Sequence, residues 1–313
     1  MKTILKIIFL ICTLVIISCK KEVTPTNTTT TIVKNQLIQH TVPSEGHPMT
    51  VWEKKAPDSK GVILFVHGRT WSGVPDFDLQ VEGEDLSLMD GMIEQGYTTY
   101  AIDLRGYGAT PRDASEWNTP LKAAQDINTV LQWISTQNKN QKVHLFGWSM
   151  GSTLSLLATQ KDDTHIASLT LFGFWLDINT VIPEDPTDIA LEKRVNTAEA
   201  AASDFIIPGS ISKNAVDTYV KMALEADPIR VDWKQQNEYN QIDPAVINIP
   251  VLVVQGAEDP IGPTNKQATL FTQLKTKDKS WVVISGGDHA AFLETPRLHF
   301  IKSFTDFIDR FNP

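Results

Sequence analysis

Cysteine is nearly absent from this chain. Only Cys12 and Cys19 occur among its 313 residues, both near the start. A mature protein beginning at Cys19 has no pair for an internal disulfide, no cysteine nucleophile in its body and no thiolate ligand set there. Histidines and carboxylates do not recur at ligand spacing, so no metal site is expected. The glycines do not form a dinucleotide fingerprint behind a strand, so no cofactor is expected. Positive charge is also in deficit, with 28 Lys and Arg against 37 Asp and Glu, a net charge of -9. Such a balance disfavours nucleic acid as a partner and leaves no polybasic patch for anionic lipid. Long apolar runs are missing too. The one candidate, Ile7 to Ile17, falls well short of the ~20 residues a membrane-spanning helix needs. Internal repeats are not evident.

That short run has a different use. Lys2 and Lys6 precede it, and Ile16-Ile17-Ser18-Cys19 follows, resembling a bacterial lipobox. Residues 1–18 are therefore expected to be an export signal, with Cys19 lipidated after cleavage. Loss of Lys2 and Lys6 removes two positive charges and takes the net charge from -9 to -11. Residues 19–45, with the run Thr28 to Thr31, read as a tether holding the domain at 46–313 away from a membrane. The expected location is the bacterial cell envelope, periplasmic or surface-exposed, with membrane contact through the lipid.

The most informative stretch is Val143-His144-Leu145-Phe146-Gly147-Trp148-Ser149-Met150-Gly151. Residues of strand character run into a small-x-Ser-x-small pattern. A sharp strand-to-helix turn of this kind lifts a serine hydroxyl above a sheet, and the flanking glycines allow the backbones to approach closely. Ser149 is the candidate nucleophile.

Around it the chain alternates between strand and helix. Gly61–Val66 is a nearly continuous apolar strand, and an earlier strand is expected near 49–55. A helix at 84–95 and a strand at 97–102 follow. Thr119-Pro120 opens a helix, with proline where its missing N–H is harmless. Further strands are expected at 143–146, 166–172, 249–254 and 281–284, and further helices from Ser149, at 264–275 and at 296–311. Between 174 and 242 the alternation yields to acidic, alanine-rich and proline-punctuated sequence, read as a helical cap inserted over the sheet. The pattern calls for a mostly parallel sheet flanked by helices.

Two partners for Ser149 lie beyond the cap. Asp259 follows the 251–254 strand, and His289 follows the 281–284 strand in Gly286-Gly287-Asp288-His289. Functional groups in open α/β sheets collect at the carboxyl ends of strands. A carboxylate at 259 would orient the imidazole of His289, which would take the serine proton. Of seven histidines, only His289 sits in a loop after a strand beyond both nucleophile and acid. The loop His67-Gly68-Arg69-Thr70-Trp71 follows the 62–66 strand, where N–H donors for a developing oxyanion are needed. Met150 N–H is one expected donor and Arg69 N–H the other, with His67 bracing the loop.

Together these segments resemble the α/β-hydrolase superfamily, in the group of serine aminopeptidase-like enzymes and monoacylglycerol lipase or lysophospholipase-like esterases. The resemblance spans roughly 45–312. It rests on His67-Gly68-Arg69, Asp103-Leu104-Arg105-Gly106-Tyr107-Gly108, the elbow, Gly256 to Asp259, Gly286 to His289, and the order Ser, Asp, His. Trp148 and Ser152 depart from the narrower group, where histidine precedes the serine and a second glycine follows. The resemblance implies acyl transfer through an acyl-enzyme, without metal or cofactor, on a small ester or a short peptide or amide. Carboxylic esters are the leading expectation, with aminopeptidase or amidase activity second and a non-catalytic surface binding role third. Trp71, Trp148, Phe174 and Trp175 are candidate pocket walls. The acidic cap is expected to disfavour strongly anionic substrates, and an aminopeptidase would need a cap carboxylate brought to the pocket. Oligomeric state is not legible.

Overall fold

The computed structural model describes residues 36–312. The expected export signal, Cys19 and the first part of the tether lie outside these residues. An eight-stranded sheet organises the rest. Its strands are β1 (Ile38–Ser44), β2 (His47–Lys54), β3 (Gly61–Val66), β4 (Tyr97–Asp103), β5 (Val143–Trp148), β6 (Ile166–Phe172), β7 (Val251–Gly256) and β8 (Lys279–Ile284). They lie in the spatial order β1-β2-β4-β3-β5-β6-β7-β8. β1 and β2 run antiparallel to their neighbours, and every pairing from β4 through β8 is parallel. The fold is that of an α/β-hydrolase.

β3 is buried along its whole length, which explains its unbroken apolar sequence. Val62, Leu64 and Val66 face one core with Ile127, Val130 and Leu154, while Ile63 and Phe65 face the other with Phe77, Phe300 and Phe304. Helices close both faces: α1 (Gly73–Phe77), α2 (Leu88–Glu94), α3 (Pro120–Gln137), α4 (Met150–Lys161), α5 (Ala198–Ala202), α6 (Lys213–Ala226), α7 (Thr264–Gln273) and α8 (Arg297–Ile308). The Thr119 hydroxyl caps α3 by accepting from Lys122 N–H at 3.3 Å, with Pro120 in the first turn.

One expectation needs correcting. The tether does not extend to residue 45, because Ile38–Ser44 is strand β1, paired along its length with β2. A two-residue turn joins them, with Glu45 and Gly46 at φ 48° and 80°, the left-handed pair that suits a hairpin's twist. Polar composition hides the strand, since only Val42 and Ser44 of its seven residues are buried. The second helix is also shorter than the expected 84–95, starting where Ser87 caps it by accepting from Asp90 N–H.

Between β6 and β7, residues 174–242 hold α5, α6, a two-residue strand at Asp232–Trp233 paired with Trp117–Asn118, and a 3-10 turn at Gln236–Gln241, the rest being largely irregular. α6 buries Ala215, Tyr219 and Ala223, one residue per turn on a single stripe. Among the described residues no helix is long and apolar enough to cross a membrane.

Candidate active site

The sheet order itself makes the crevice. From β3 the chain goes first to β4 on one side and later to β5 on the other, so loops leaving β3 and β5 part at their carboxyl ends. Ser149 sits at the end of β5 as the residue before α4, with φ 55° and ψ -121°. That backbone is costly for a side-chain-bearing residue and is kept only where the surroundings enforce it. Here Ser149 N–H donates to Phe172 O at 2.9 Å, and Ser152 N–H and Oγ return to Ser149 O at 3.0 and 2.6 Å. A Cβ at Gly151 would stand 2.2 Å from Val66 O, so no other residue lets α4 pack this close to β3.

His289 and Asp259 meet above the neighbouring strands. His289 Nδ1 is 2.9 Å from Asp259 Oδ2, and both side chains are buried. Asp259 Oδ1 accepts from Ile261 N–H at 2.8 Å and Gly262 N–H at 3.1 Å. Burial works against its charge, but the His289 partner and these two amides hold the carboxyl below its usual range. The carboxylate therefore places the proton on Nδ1 and leaves Nε2 as the basic nitrogen. Gly173 clears the space beneath the pair. Its φ is 60°, and a Cβ there would lie 2.7 Å from His289 Cε1. Ser149 and His289 line one cavity; no hydrogen bond joins them among the described residues, a contact that commonly tightens only around substrate.

The loop after β3 runs beside the serine. A Cβ built on Gly68 would be 3.5 Å from Ser149 Cβ and 3.9 Å from its Oγ. His67 braces the loop: Leu104 N–H donates to Nε2 at 3.1 Å, so the proton sits on Nδ1, which faces Gly68 O at 2.8 Å. Burial lowers its pKa to about 4, and it stays neutral. Tyr107 hydroxyl donates to Arg69 O and accepts from Trp233 Nε1 at 2.8 Å, tying the loop to the end of the cap. Met150 opens α4, so its N–H is one of the unpaired donors at a helix start. Arg69 N–H makes no hydrogen bond among the described residues.

The cavity at Ser149 measures about 170 Å³. Trp71 and Trp148 line it, and Trp148 also donates through Nε1 to His289 O at 2.7 Å. Phe174 and Trp175 do not. Phe174 is wholly buried in the core, and the Trp175 ring packs on Tyr239 with centroids 5.8 Å apart. Two carboxyls do face the cavity, Asp76 from α1 and Asp204 from the cap. Tyr219 hydroxyl donates to Asp76 Oδ1 at 2.9 Å and lies 3.5 Å from Asp204 Oδ2, which also accepts from Trp71 Nε1 at 3.1 Å. Burial, with Asp204 adding repulsion, raises the Asp76 pKa well above the carboxylate range. Burial likewise lifts Asp204, to about 6, against the pull of His289.

Comparison with known proteins gives this geometry a family. The sequence profile of the family described as serine aminopeptidase, S33, matches residues 57–296. The chain belongs to this family. Mouse serine hydrolase BPHL is 23% identical over 238 residues, covering 71% of each chain. The thioesterase domain from the curacin biosynthetic pathway superposes with a TM-score of 0.62 at 17% identity, over 88% of this chain and 99% of that one. The esterase EaEST from Exiguobacterium antarcticum gives 0.61 at 18%, over 87% and 100%. These structural likenesses speak for the fold.

Within this S33 chain, sequence reasoning missed Asp76, Asp204, Tyr107, Tyr219 and Gly173 as neighbours of the site. Tyr107 lay inside the quoted 103–108 segment, and Gly173 directly follows a strand end, so both carried a positional signal. Asp76, Asp204 and Tyr219 carried none, being acids and a tyrosine among many on unrelated segments. Among the described residues no group of three or more His, Cys, Asp or Glu is arranged to hold a metal ion.

Proposed function

We propose that the chain is a serine hydrolase of small carboxylic esters, working through an acyl-enzyme. Ser149 attacks the carbonyl as His289 takes its proton, and Asp259 keeps the imidazole in the required tautomer. The N–H groups of Met150 and Arg69 stabilise the oxyanion. His289 then protonates the leaving alcohol, and water activated by the same base releases the acid. The observation that carries this reading is the constrained Ser149 backbone, opening on the same cavity as an imidazole paired at 2.9 Å with Asp259. Membership of a serine-hydrolase family supports it. A cavity of about 170 Å³ suits a short acyl group.

One observation favours a second reading. Asp76 and Asp204 both face the cavity, and among the described residues neither makes an ion pair with a lysine or arginine, which fits an acyl group carrying an ammonium, as in an amino-acid ester or the N-terminus of a peptide. The test is hydrolysis of p-nitrophenyl esters from acetate to long acyl chains, beside aminoacyl esters and anilides, with Ser149→Ala as reference. Ester turnover peaking at short chains and falling at least about a thousandfold in the variant is expected. Turnover confined to aminoacyl substrates would replace the first reading with the second. Turnover unchanged in the variant would remove both.

We further propose export and lipidation at Cys19, supported by the charged start, short apolar run and Ile-Ile-Ser-Cys ending. Labelling cells with a fatty-acid analogue should mark the protein and not Cys19→Ser.

A further inference from the structure

A second cavity adjoins the oxyanion loop. Arg69 lines both it and the Ser149 cavity, and the second, of about 290 Å³, also receives Arg194 and Arg230. Three guanidinium groups thus converge where the cap composition argues for the opposite charge. Their neutralisation is incomplete. Arg194 Nη2 pairs with Glu192 at 2.6 Å, and Arg69 Nη1 reaches only the neutral Gln236 Oε1 at 3.3 Å. Arg230 is half-buried, and among the described residues its guanidinium makes no hydrogen bond or ion pair. Burial, then repulsion from Arg69 and Arg194, pulls its pKa below the ordinary arginine value. A half-buried cation held beside two like charges is unfavourable unless an anion joins them.

The remaining walls indicate which anion. Glu192 and Asp232 are the acids of the cavity, and Asp232 already accepts from the N–H groups of Glu192 and Lys193 at 3.1 and 3.2 Å. Three arginines against two acids leave one formal positive charge, which matches a monoanion better than a phosphate dianion. Guanidinium forks suit carboxylate geometry. Trp117 and Trp233 provide flat apolar surface for the organic body beside it. Trp233 also reaches the oxyanion loop through Tyr107, so the wall of this cavity and the backbone of Arg69 share one hydrogen-bond chain.

We propose that this cavity binds a carboxylate carried by the substrate, on the part of the molecule away from the carbonyl attacked by Ser149. The enzyme is then selective for small esters or amides that bear a free carboxylate. The inference rests on the reading of Ser149 as nucleophile, and its test separates the two.

Hydrolysis of 4-acetoxybenzoate and 4-acetoxybenzamide by the full chain compares equal acyl groups that differ in one charge. The acid should be preferred in KM by about tenfold, the scale of one charge-assisted contact. Arg230→Gln should bring the acid-to-amide ratio of kcat/KM close to one, and added salt should shrink it. Arg194→Gln, at an exposed position, gives the same readout if the first variant folds poorly. Calorimetric titration of 4-hydroxybenzoate and 4-hydroxybenzamide into Ser149→Ala reads the cavity without turnover. Tighter binding of the acid, lost in Ser149→Ala/Arg230→Gln, supports the proposal. Equal binding of acid and amide, or a preference that survives both arginine changes, overturns it. Hydrolysis persisting in Ser149→Ala would remove the nucleophile reading, and the titration would still decide the carboxylate site.

Discussion

The carboxyl edge of the sheet and the cap that covers it are built on different principles. Ser149, Asp259 and His289 stand at the ends of β5, β7 and β8, and each is held by backbone that the strands position. The elbow is locked by three hydrogen bonds and by glycines that only close packing demands. The cap has little regular structure, and its attachment depends on a few buried carboxylates. Asp227 accepts from Ser72 and Gly108 N–H, both at 2.8 Å, and Asp288 accepts from Ile206 and Ile207 N–H at 2.7 and 2.8 Å. Chemistry placed on the sheet edge gains precision from a rigid frame. Groups placed on the cap gain reach, and their position depends on single side chains.

The difference can be tested from its rigid end first. Asp259→Asn keeps the size of the acid and removes its charge, so His289 loses the partner that sets its tautomer. A fall in kcat of about 10³–10⁴ is expected in steady-state ester hydrolysis, with the unfolding midpoint little changed. A loss below about tenfold would mean that another group orients the imidazole.

Gly173→Ala attacks the frame beneath the same pair. The added methyl meets His289 Cε1 at 2.7 Å and Nδ1 at 2.9 Å, on backbone at φ 60°. Displacing the ring by a fraction of an ångström should lower kcat about a hundredfold, measured with the same ester. Wild-type rates in this variant would show that the histidine loop is free to move, contrary to its burial.

Asp288→Ala addresses the cap. It deprives the Ile206 and Ile207 amides of their acceptor and should cost about 2 kcal/mol in denaturant unfolding. Limited proteolysis should then nick the 203–210 segment before the hydrolase body. Cleavage starting elsewhere would place the cap's weak point on another tie.

The smallest effect concerns Asp204. Its pKa is raised in the folded protein to about 6, so its ionisation costs stability that is fully lost above pH 6 and restored toward pH 4. Asp204→Asn should therefore raise the thermal midpoint at pH 8, with the gain fading as pH falls through 6. The ratio of kcat/KM for an aminoacyl ester to that for a neutral ester, in which the contribution of the shared base cancels, should rise through pH 6 in the wild type and stay flat in the variant. A midpoint unchanged at every pH would mean that solvent reaches the carboxylate in the fold.

The unequal legibility of these regions has a physical basis. β3 announced itself because a strand buried on both faces must be apolar throughout, and α3 because a capping threonine, a first-turn proline and one apolar stripe coincide. The elbow was legible because its steric demand falls on residues within five positions. His289 and Asp259 were legible because strand ends are recognisable and the sheet brings them together. β1 was misread, since an edge strand with two buried residues has almost no pattern of its own. Phe174 and Trp175 were misplaced because nearness to a strand end does not say which way a ring turns.

The sequence alone determined the parallel sheet, the strained serine turn and the loops after the strands that carry Asp259 and His289, all consequences of local sterics and periodic burial. Only the tertiary structure decided what surrounds them. Asp76 comes from α1 and Asp204 and Tyr219 from the cap. Arg69 meets Arg194 and Arg230 from a segment more than a hundred residues away in the chain. No local rule couples such distant positions; their meeting depends on how the cap closes over the sheet. An acidic cap could therefore carry a cationic cavity, because the charge a ligand meets is set by the few side chains that turn inward, while composition counts every one.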